Sequence, residues 1–440
     1  MPGLAFLDSA LEHETMGRFS YVAADPFGIF TVREGRAYWN GVPCEGKPLA
    51  ALRNLLAAFK TERATDLAPF QGGAIGYFAY DFATVLDDAA VVAGRGPQAH
   101  FAFYDTILAF DHRRGRCHLI ASGQPEGSAE LRETRAGLRL KQFGDLLAQP
   151  AMRATLPDAP LDWRPNVTRA AYCAAVERVK EHIRAGDIYQ ANISQAFYAQ
   201  LPEEFSTWGF YKNLRLKNPA PLAAYLACGE RTIASTSPEC FLTLHNRRVE
   251  TRPIKGTIKR SLDQQEDLQL ADRLMASAKD RAENIMIVDL LRNDLSKVCR
   301  PNTVEVEALC ALESYANVHH LVSAVTGELR DGYDGLDLVA ASFPGGSITG
   351  APKLKAMEII AQIEKDSRGV YCGAIGFLGF NGEMALNIAI RTVVMEAKKA
   401  TLRVGGGVTL LSGADAEYEE SLAKAERILS RGDGEVGAGA

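Results

Sequence analysis

An α+β fold follows from three features of the sequence. Short apolar runs separated by turn signals fill the first 120 or so residues, helices with recognisable ends interrupt strand-like stretches later on, and no regular strand–helix alternation joins the two. The third feature sets the chain apart from a doubly wound fold.

In the N-terminal part, "AADPFG", "NGVPCEG", "QGGAIGYFAYD" and "DHRRGRC" punctuate the apolar runs, which predicts antiparallel sheet with one helix near 48–60. "SAELRETRAGLRLKQFGDLLAQ" follows as an amphipathic helix. "QPAMRATLPDAPLDWRPNVT" is proline-rich and aperiodic, so residues 151–165 are expected to link a β-rich part over 1–150 to a second part over 166–431. Residues 432–440 are expected to be a flexible tail. The second part opens with "TRAAYCAAVERVKEHIRAGD", a helix capped by Thr168 and stopped at Gly186. One long helical stretch is expected over 263–297, polar at first and apolar in "NIMIVDLLRNDL". Strands return in "YANVHHLVSAVTGEL", "YCGAIGFLGF", "MALNIAIRTVVME" and "TLRVGGGVTL", before a last helix in "AEYEESLAKAERILS".

The chain of 440 residues is long enough for one large elaborated domain or two to three interdigitated ones, with 47% hydrophobic and 23% charged residues. A net charge of -5 leaves no electrostatic footprint for nucleic acid or a membrane surface. No basic leader precedes an apolar run at the N-terminus and no segment is apolar enough to span a bilayer, so a cytoplasmic protein is expected. Its eight cysteines form no C-x-x-C pair, which argues for reduced, mostly buried thiols rather than a zinc site or a disulfide framework.

Several stretches carry candidate chemistry. In "ALNIAIRTVVM" a period of two puts Leu386, Ile388 and Ile390 on one face and Asn387, Ala389 and Arg391 on the other. An arginine on such a face calls for an anion, either a structural acid or a carboxylate-bearing ligand. Glu417 and Glu420 share a helix face at i, i+3, and Asp280 and Glu283 repeat that spacing. Such pairs are ordinarily solvated, but if the two helices converge their oxygens suit Mg2+. "FPGGSITGAPK" is not a Walker A loop and "RVGGGVTLLSG" lacks the dinucleotide spacing, so no nucleotide is implied. The helix starting at "APKLKAMEII", or close approach to the bare "GGG" backbone, could receive an anionic group instead. On a strand, His319 and His320 of "VHHL" face opposite ways and cannot share a metal. Lys255 in "RPIKGTIKR" sits between a strand-like run and a glycine, away from any charge-rich helix face.

These pieces, read in order as "FLDSALE", "GDIYQANISQAF", "TSPECFL", "RPIKGT", "ENIMIVDLLRNDL", "VHHLVSAV", "FPGGSITGAPKLKAMEII", "RGVYCGAIGFLG", "NIAIRT", "VGGGV" and "EESLAKAERIL", resemble the chorismate-utilising enzymes over nearly the whole chain. The resemblance implies a large sandwich of two antiparallel sheets flanked by helices, with the active site in a cleft. It implies Mg2+ held by Glu283 and Glu420, with Glu417 and Asp280 as neighbouring acids; Asp280 stands where a glutamate is commoner. Tyr371 and Arg391 would bind the enolpyruvyl carboxylate, supported by backbone at Gly406 and Gly407, while the ring carboxylate would sit on Mg2+. Ser347 and His320 would lie near the ring with Thr257 and Gln190, and Glu239 would be the general acid for loss of the ring hydroxyl.

Where the anthranilate-forming members carry "PIAGT", this chain carries "PIKGT". By resemblance Lys255 becomes a nucleophile for C2 of chorismate, displaced when ammonia attacks C4 to give 4-amino-4-deoxychorismate, a precursor of 4-aminobenzoate and folate. A neutral amine near pH 7 requires the charged form to be destabilised by roughly 4–5 kcal/mol. The alternatives are an anthranilate-forming enzyme, an isochorismate- or salicylate-forming one, against which Gln190 argues in place of a lysine base, and a non-catalytic binding subunit. No cysteine lies in a glutaminase setting, so a separate glutamine amidotransferase subunit is expected to supply ammonia. The anthranilate-forming members bind inhibitory tryptophan with an "LLES"-type stretch, and the counterpart here is "FLDS", which points to little feedback inhibition.

Overall fold

The computed structural model describes residues 2–11, 16–150, 161–315 and 318–429; the expected tail and residues 151–160 of the expected linker lie outside the described residues. Two antiparallel sheets pack face to face. The first runs from Arg164–Pro165 through Gln190–Gln200, Lys399–Val408, Thr392–Glu396, Arg231–Ser237, Leu222–Cys228, Ala5–Asp8, Phe19–Ala23 and Thr106–Asp111 to Arg116–Ala121. The second runs from Ile254–Lys259 through Val318–Glu328, Arg248–Arg252, Cys240–His245, Met384–Ile388, Ala374–Gly379, Gly73–Phe78, Ala99–Tyr104, Gly28–Arg33 and Arg36–Trp39 to Val42–Pro43.

The α+β expectation and the two-sheet sandwich therefore hold. The N-terminal strands are antiparallel as expected, yet they are shared out between both sheets: Ala5–Asp8 pairs with Leu222–Cys228, and Gly73–Phe78 pairs with Ala374–Gly379. Tyr21, Ile107 and Leu226 of one sheet meet Ile75, Tyr77 and Phe377 of the other in a buried core. At roughly 1.5–3 kcal/mol for each large apolar side chain fully buried, this layer is a major part of what holds the sheets together.

Helices cover the outer faces. The Ala278–Ser296 helix turns Ile287, Val288, Leu291 and Leu295 inward. The Ala414–Leu429 helix buries Ala425 and Ile428 in a cluster with Leu402 and Val404 of the neighbouring strand. The Thr168 cap is as expected, its hydroxyl accepting from the Ala171 N–H, and Gly186 closes that helix with φ +83°. A cap of this kind contributes about 1 kcal/mol.

Two expectations need correction. The stretch 263–297 is two helices, Gln264–Met275 and Ala278–Ser296, because the Ser277 side chain caps the second by accepting from the Asp280 N–H. "MALNIAIRTVVME" is two strands: the chain leaves the second sheet after Ile388, passes Arg391 at φ +49° and enters the first sheet at Thr392. A period of two is blind to such a crossover, since both halves keep it. In the first turn of the Lys353–Glu364 helix, Lys353 donates to Asp294 at 2.9 Å and to the Ser342 carbonyl at 2.7 Å.

All eight cysteines are free thiols; Cys240, Cys299, Cys310 and Cys372 are buried, and Cys117 is exposed. No helix among the described residues is long and apolar enough to cross a membrane. Two large cavities open in the molecule. One of about 520 Å³ lies between the sheets, lined by Ser9, Arg18, Tyr21, Cys240, Phe377 and Asn387 among others. The other, of about 500 Å³, gathers most of the residues singled out in the sequence.

Candidate active site

The position of Lys255 follows from an irregularity in its strand. Ile254 faces Val322 and Thr257 faces His320 across the ladder with Val318–Glu328, and the register shifts between them, so the intervening Lys255–Gly256 bulges into the cavity. Gly256 has φ +85°, and a Cβ placed there would stand 2.9 Å from the Asp280 Cβ, so glycine alone fits. Lys255 Nζ donates to the Ser347 carbonyl at 2.9 Å. Burial lowers the Lys255 pKa from its ordinary value, against the opposing pull of Glu283 and Glu239. The amine is thus moved toward the neutral form that attacks an electrophile.

Glu239 is 5% exposed, and burial raises its pKa against the Ser347 hydroxyl and the Lys255 charge. A carboxyl whose charged form is disfavoured is the better placed to donate a proton to a leaving group. The Gly346–Ile348 turn that carries Ser347 is fixed from behind: Arg368 donates to the Ile348 carbonyl at 3.0 Å and to the Asn192 carbonyl at 2.6 Å. His320 lines the cavity with Nδ1 2.7 Å from the Thr257 hydroxyl; burial, reinforced by the Arg391 charge, pushes its pKa down to about 3, so the ring is neutral. His319 points away, toward Ser314 and Asp267, as alternation on a strand requires. Tyr371 and Arg391 line the same cavity, Arg391 delivered there by the crossover between sheets.

The Ala278–Ser296 and Ala414–Leu429 helices do converge, and Asp280, Glu283, Glu417 and Glu420 all line the cavity. They are not, among the described residues, drawn into a group of three or more ligands that could hold a metal. Lysines stand among them instead. Lys279 Nζ is 3.5 Å from Glu417 Oε1 and 3.9 Å from Glu283 Oε1, and Lys424 Nζ is 2.8 Å from Glu420 Oε1. Asp280 is engaged by the Ser277 hydroxyl that caps its helix. The donor chemistry nonetheless fits a hard cation: all four groups are carboxylates, and Glu283 Oε1 and Glu417 Oε2 are buried without a hydrogen-bond partner.

Gly405, Gly406 and Gly407 form a wall with no side chains, facing Ser194, Ile193 and Asn192 across the ladder. A Cβ on Gly406 would meet Glu417 Oε2 at 2.9 Å, and one on Gly407 would meet Gln190 Nε2 at 2.1 Å. The same Gly407 Cβ would stand 3.6 Å from Lys255 Nζ, so the Gln190 amide lies against Gly407 on the side that faces Lys255, at the edge of the cavity rather than in its lining. Sequence reasoning missed Asn192, Asn218, Lys279, Arg403 and Lys424, which do line it. Lys279–Glu283 and Glu420–Lys424 were visible as i, i+4 pairs, but that spacing reads equally well as a solvated helix surface.

The profile of the chorismate binding enzymes matches residues 7–430. Aminodeoxychorismate synthase component 1 of Salmonella typhimurium is 37% identical over 98% of this chain and 93% of its own length. Anthranilate synthase component 1 of Mycolicibacterium smegmatis is 36% identical over 98% and 85%. The crystal structure of anthranilate synthase component I from Streptococcus pneumoniae superposes with a TM-score of 0.84 at 32% identity, covering 94% of this chain and 92% of that one. With a match from near its first residue to near its last, this chain belongs to the chorismate binding enzyme family.

Proposed function

We propose that this enzyme converts chorismate and ammonia to 4-amino-4-deoxychorismate, as an aminodeoxychorismate synthase component I. The observation that carries the reading is Lys255, an amine inside the cavity whose charge burial disfavours, beside Glu239, a carboxyl whose charge burial disfavours in turn. The amine of Lys255 forms a bond to ring C2 as both ring double bonds shift and the C4 hydroxyl leaves, taking the Glu239 proton to depart as water. Ammonia then bonds to C4, both double bonds shift back, and the C2–nitrogen bond breaks to free the lysine. Atoms balance as chorismate plus ammonia giving product plus water.

Tyr371 and Arg391, with the bare Gly406–Gly407 backbone, bind the enolpyruvyl carboxylate in this reading. Ser347, Thr257 and the neutral His320 border the ring. Glu283 and Glu420, with Glu417 and Asp280 beside them, would hold Mg2+, which when bound supplies positive charge for the ring carboxylate. The Gln190 amide, against Gly407 on the side that faces Lys255, binds substrate beside the ring in this reading.

Relatives of two activities at nearly equal identity, 37% and 36%, make product identification the decisive test. Mass spectrometry of a reaction with chorismate, Mg2+ and ammonium at pH 8.5–9, roughly where free ammonia becomes appreciable, should show 4-amino-4-deoxychorismate. Anthranilate or isochorismate in its place would refute the assignment. The purified chain should be inert with glutamine until a glutamine amidotransferase subunit is added.

A further inference from the structure

We propose that Lys279 is an internal counter-cation that holds the acids of the two facing helices until a divalent cation displaces it, so that this lysine sets the affinity of the site for metal. The inference rests on the reading that these acids take Mg2+. Its basis is geometric. Lys279 reaches Glu283 on its own helix at 3.9 Å and Glu417 on the other helix at 3.5 Å. A surface pair at i, i+4 would need only the first of these contacts.

The second contact goes to a group that is 3% exposed. Glu417 Oε1 also accepts from the Ser412 hydroxyl at 2.7 Å, while its Oε2 has no hydrogen-bond partner and borders Gly406 in the cavity wall. Glu283 Oε1 is likewise buried and without a hydrogen bond. Two such carboxylates on facing helices repel each other unless a positive charge stands between them. Lys279 supplies that charge from a side chain that is 41% exposed and can swing outward. Lys424 treats Glu420 in the same way, anchored meanwhile on the Gly405 carbonyl at 2.9 Å. A cation entering between Glu283 and Glu417 meets the Lys279 ammonium and must replace it.

The test compares the full chain with Lys279→Met and Lys279→Arg, using MgCl2 without substrate in calorimetric titrations and thermal unfolding with EDTA or Mg2+. Lys279→Met should bind Mg2+ about fivefold or more tightly, unfold at a lower temperature in EDTA, and recover the wild-type temperature when Mg2+ is added. Lys279→Arg should keep the wild-type values. Unchanged or weaker Mg2+ binding by Lys279→Met, beside clear binding by the wild type, overturns the exchange and leaves the metal reading standing. Mg2+ binding by neither protein overturns both.

Discussion

The two large cavities have nearly the same volume but differ around Lys255 in how they treat charge. Between the sheets, charges are matched and strengthened: Arg18 pairs with Asp111 at 2.7 Å, which raises the pKa of the one and lowers that of the other. Arg252 is likewise held by Glu250 and Glu313. In the cavity that contains Lys255, burial lowers the amine and raises Glu239 and Glu283, driving these three toward neutral forms, whereas beside them Glu417 raises Lys279 and Lys424 lowers Glu420 against the pull of burial. Matched pairs stabilise a structure; groups held away from their preferred charge are poised to exchange protons and form bonds. The comparison places chemistry in one cavity and architecture in the other.

The sharpest way to break this contrast is to remove its centre. Lys255→Ala should lower aminodeoxychorismate formation by about 10³-fold or more, measured as initial rate with ammonium. Metal binding should be unaffected, because the acids lie on other elements. Glu239→Gln should cost roughly 10²–10⁴-fold.

The pH dependence follows from the signs. Protonation of Lys255 as pH falls through its lowered pKa removes the nucleophile, and ionisation of Glu239 as pH rises through its raised pKa removes the acid. The rate, corrected to constant free ammonia, should be bell-shaped, with limbs belonging to the Lys255–Glu239 pair. Glu239→Gln should abolish the alkaline limb, and an unchanged limb would remove Glu239 from the proton's path.

Loss of one acid should be milder. Glu283→Gln or Glu420→Gln should raise the Mg2+ concentration for half-maximal rate by about tenfold or more. Full activity in excess chelator would take the metal out of the account.

The smallest effect is expected between the sheets. Asp8 and Ser9 of "FLDS" are already engaged, Asp8 by the Tyr211 hydroxyl at 2.9 Å and Arg215 at 2.6 Å, and Ser9 by the Phe19 carbonyl at 2.6 Å. Tryptophan at micromolar concentration should change the rate by less than about twofold. Strong inhibition would show that these contacts yield to a ligand.

How much of this could be read from the chain varies with the range of the interaction. Thr168, Gly186 and the helices of the N-terminal part were legible because caps and amphipathic spacing are local. The site residues were legible as long motifs, and thirteen of the fourteen candidate positions do line the cavity, with the Gln190 amide against Gly407 at its edge. The crossover at Arg391 was not, since both flanking segments have strand-like composition and nothing local marks the change of sheet. Nor were Lys279 and Lys424, whose partner acids look solvated until two helices separated by more than a hundred residues are brought together.

The central claim is that Lys255 forms a bond to substrate. Intact-protein mass spectrometry after incubation with chorismate and Mg2+, without ammonia, should show the chain heavier by chorismate less one water. The adduct should map to the peptide carrying Lys255, disappear when ammonium is added, and be absent in Lys255→Ala. Wild-type protein of unchanged mass, or a Lys255→Ala variant that turns over at full speed, would contradict the account.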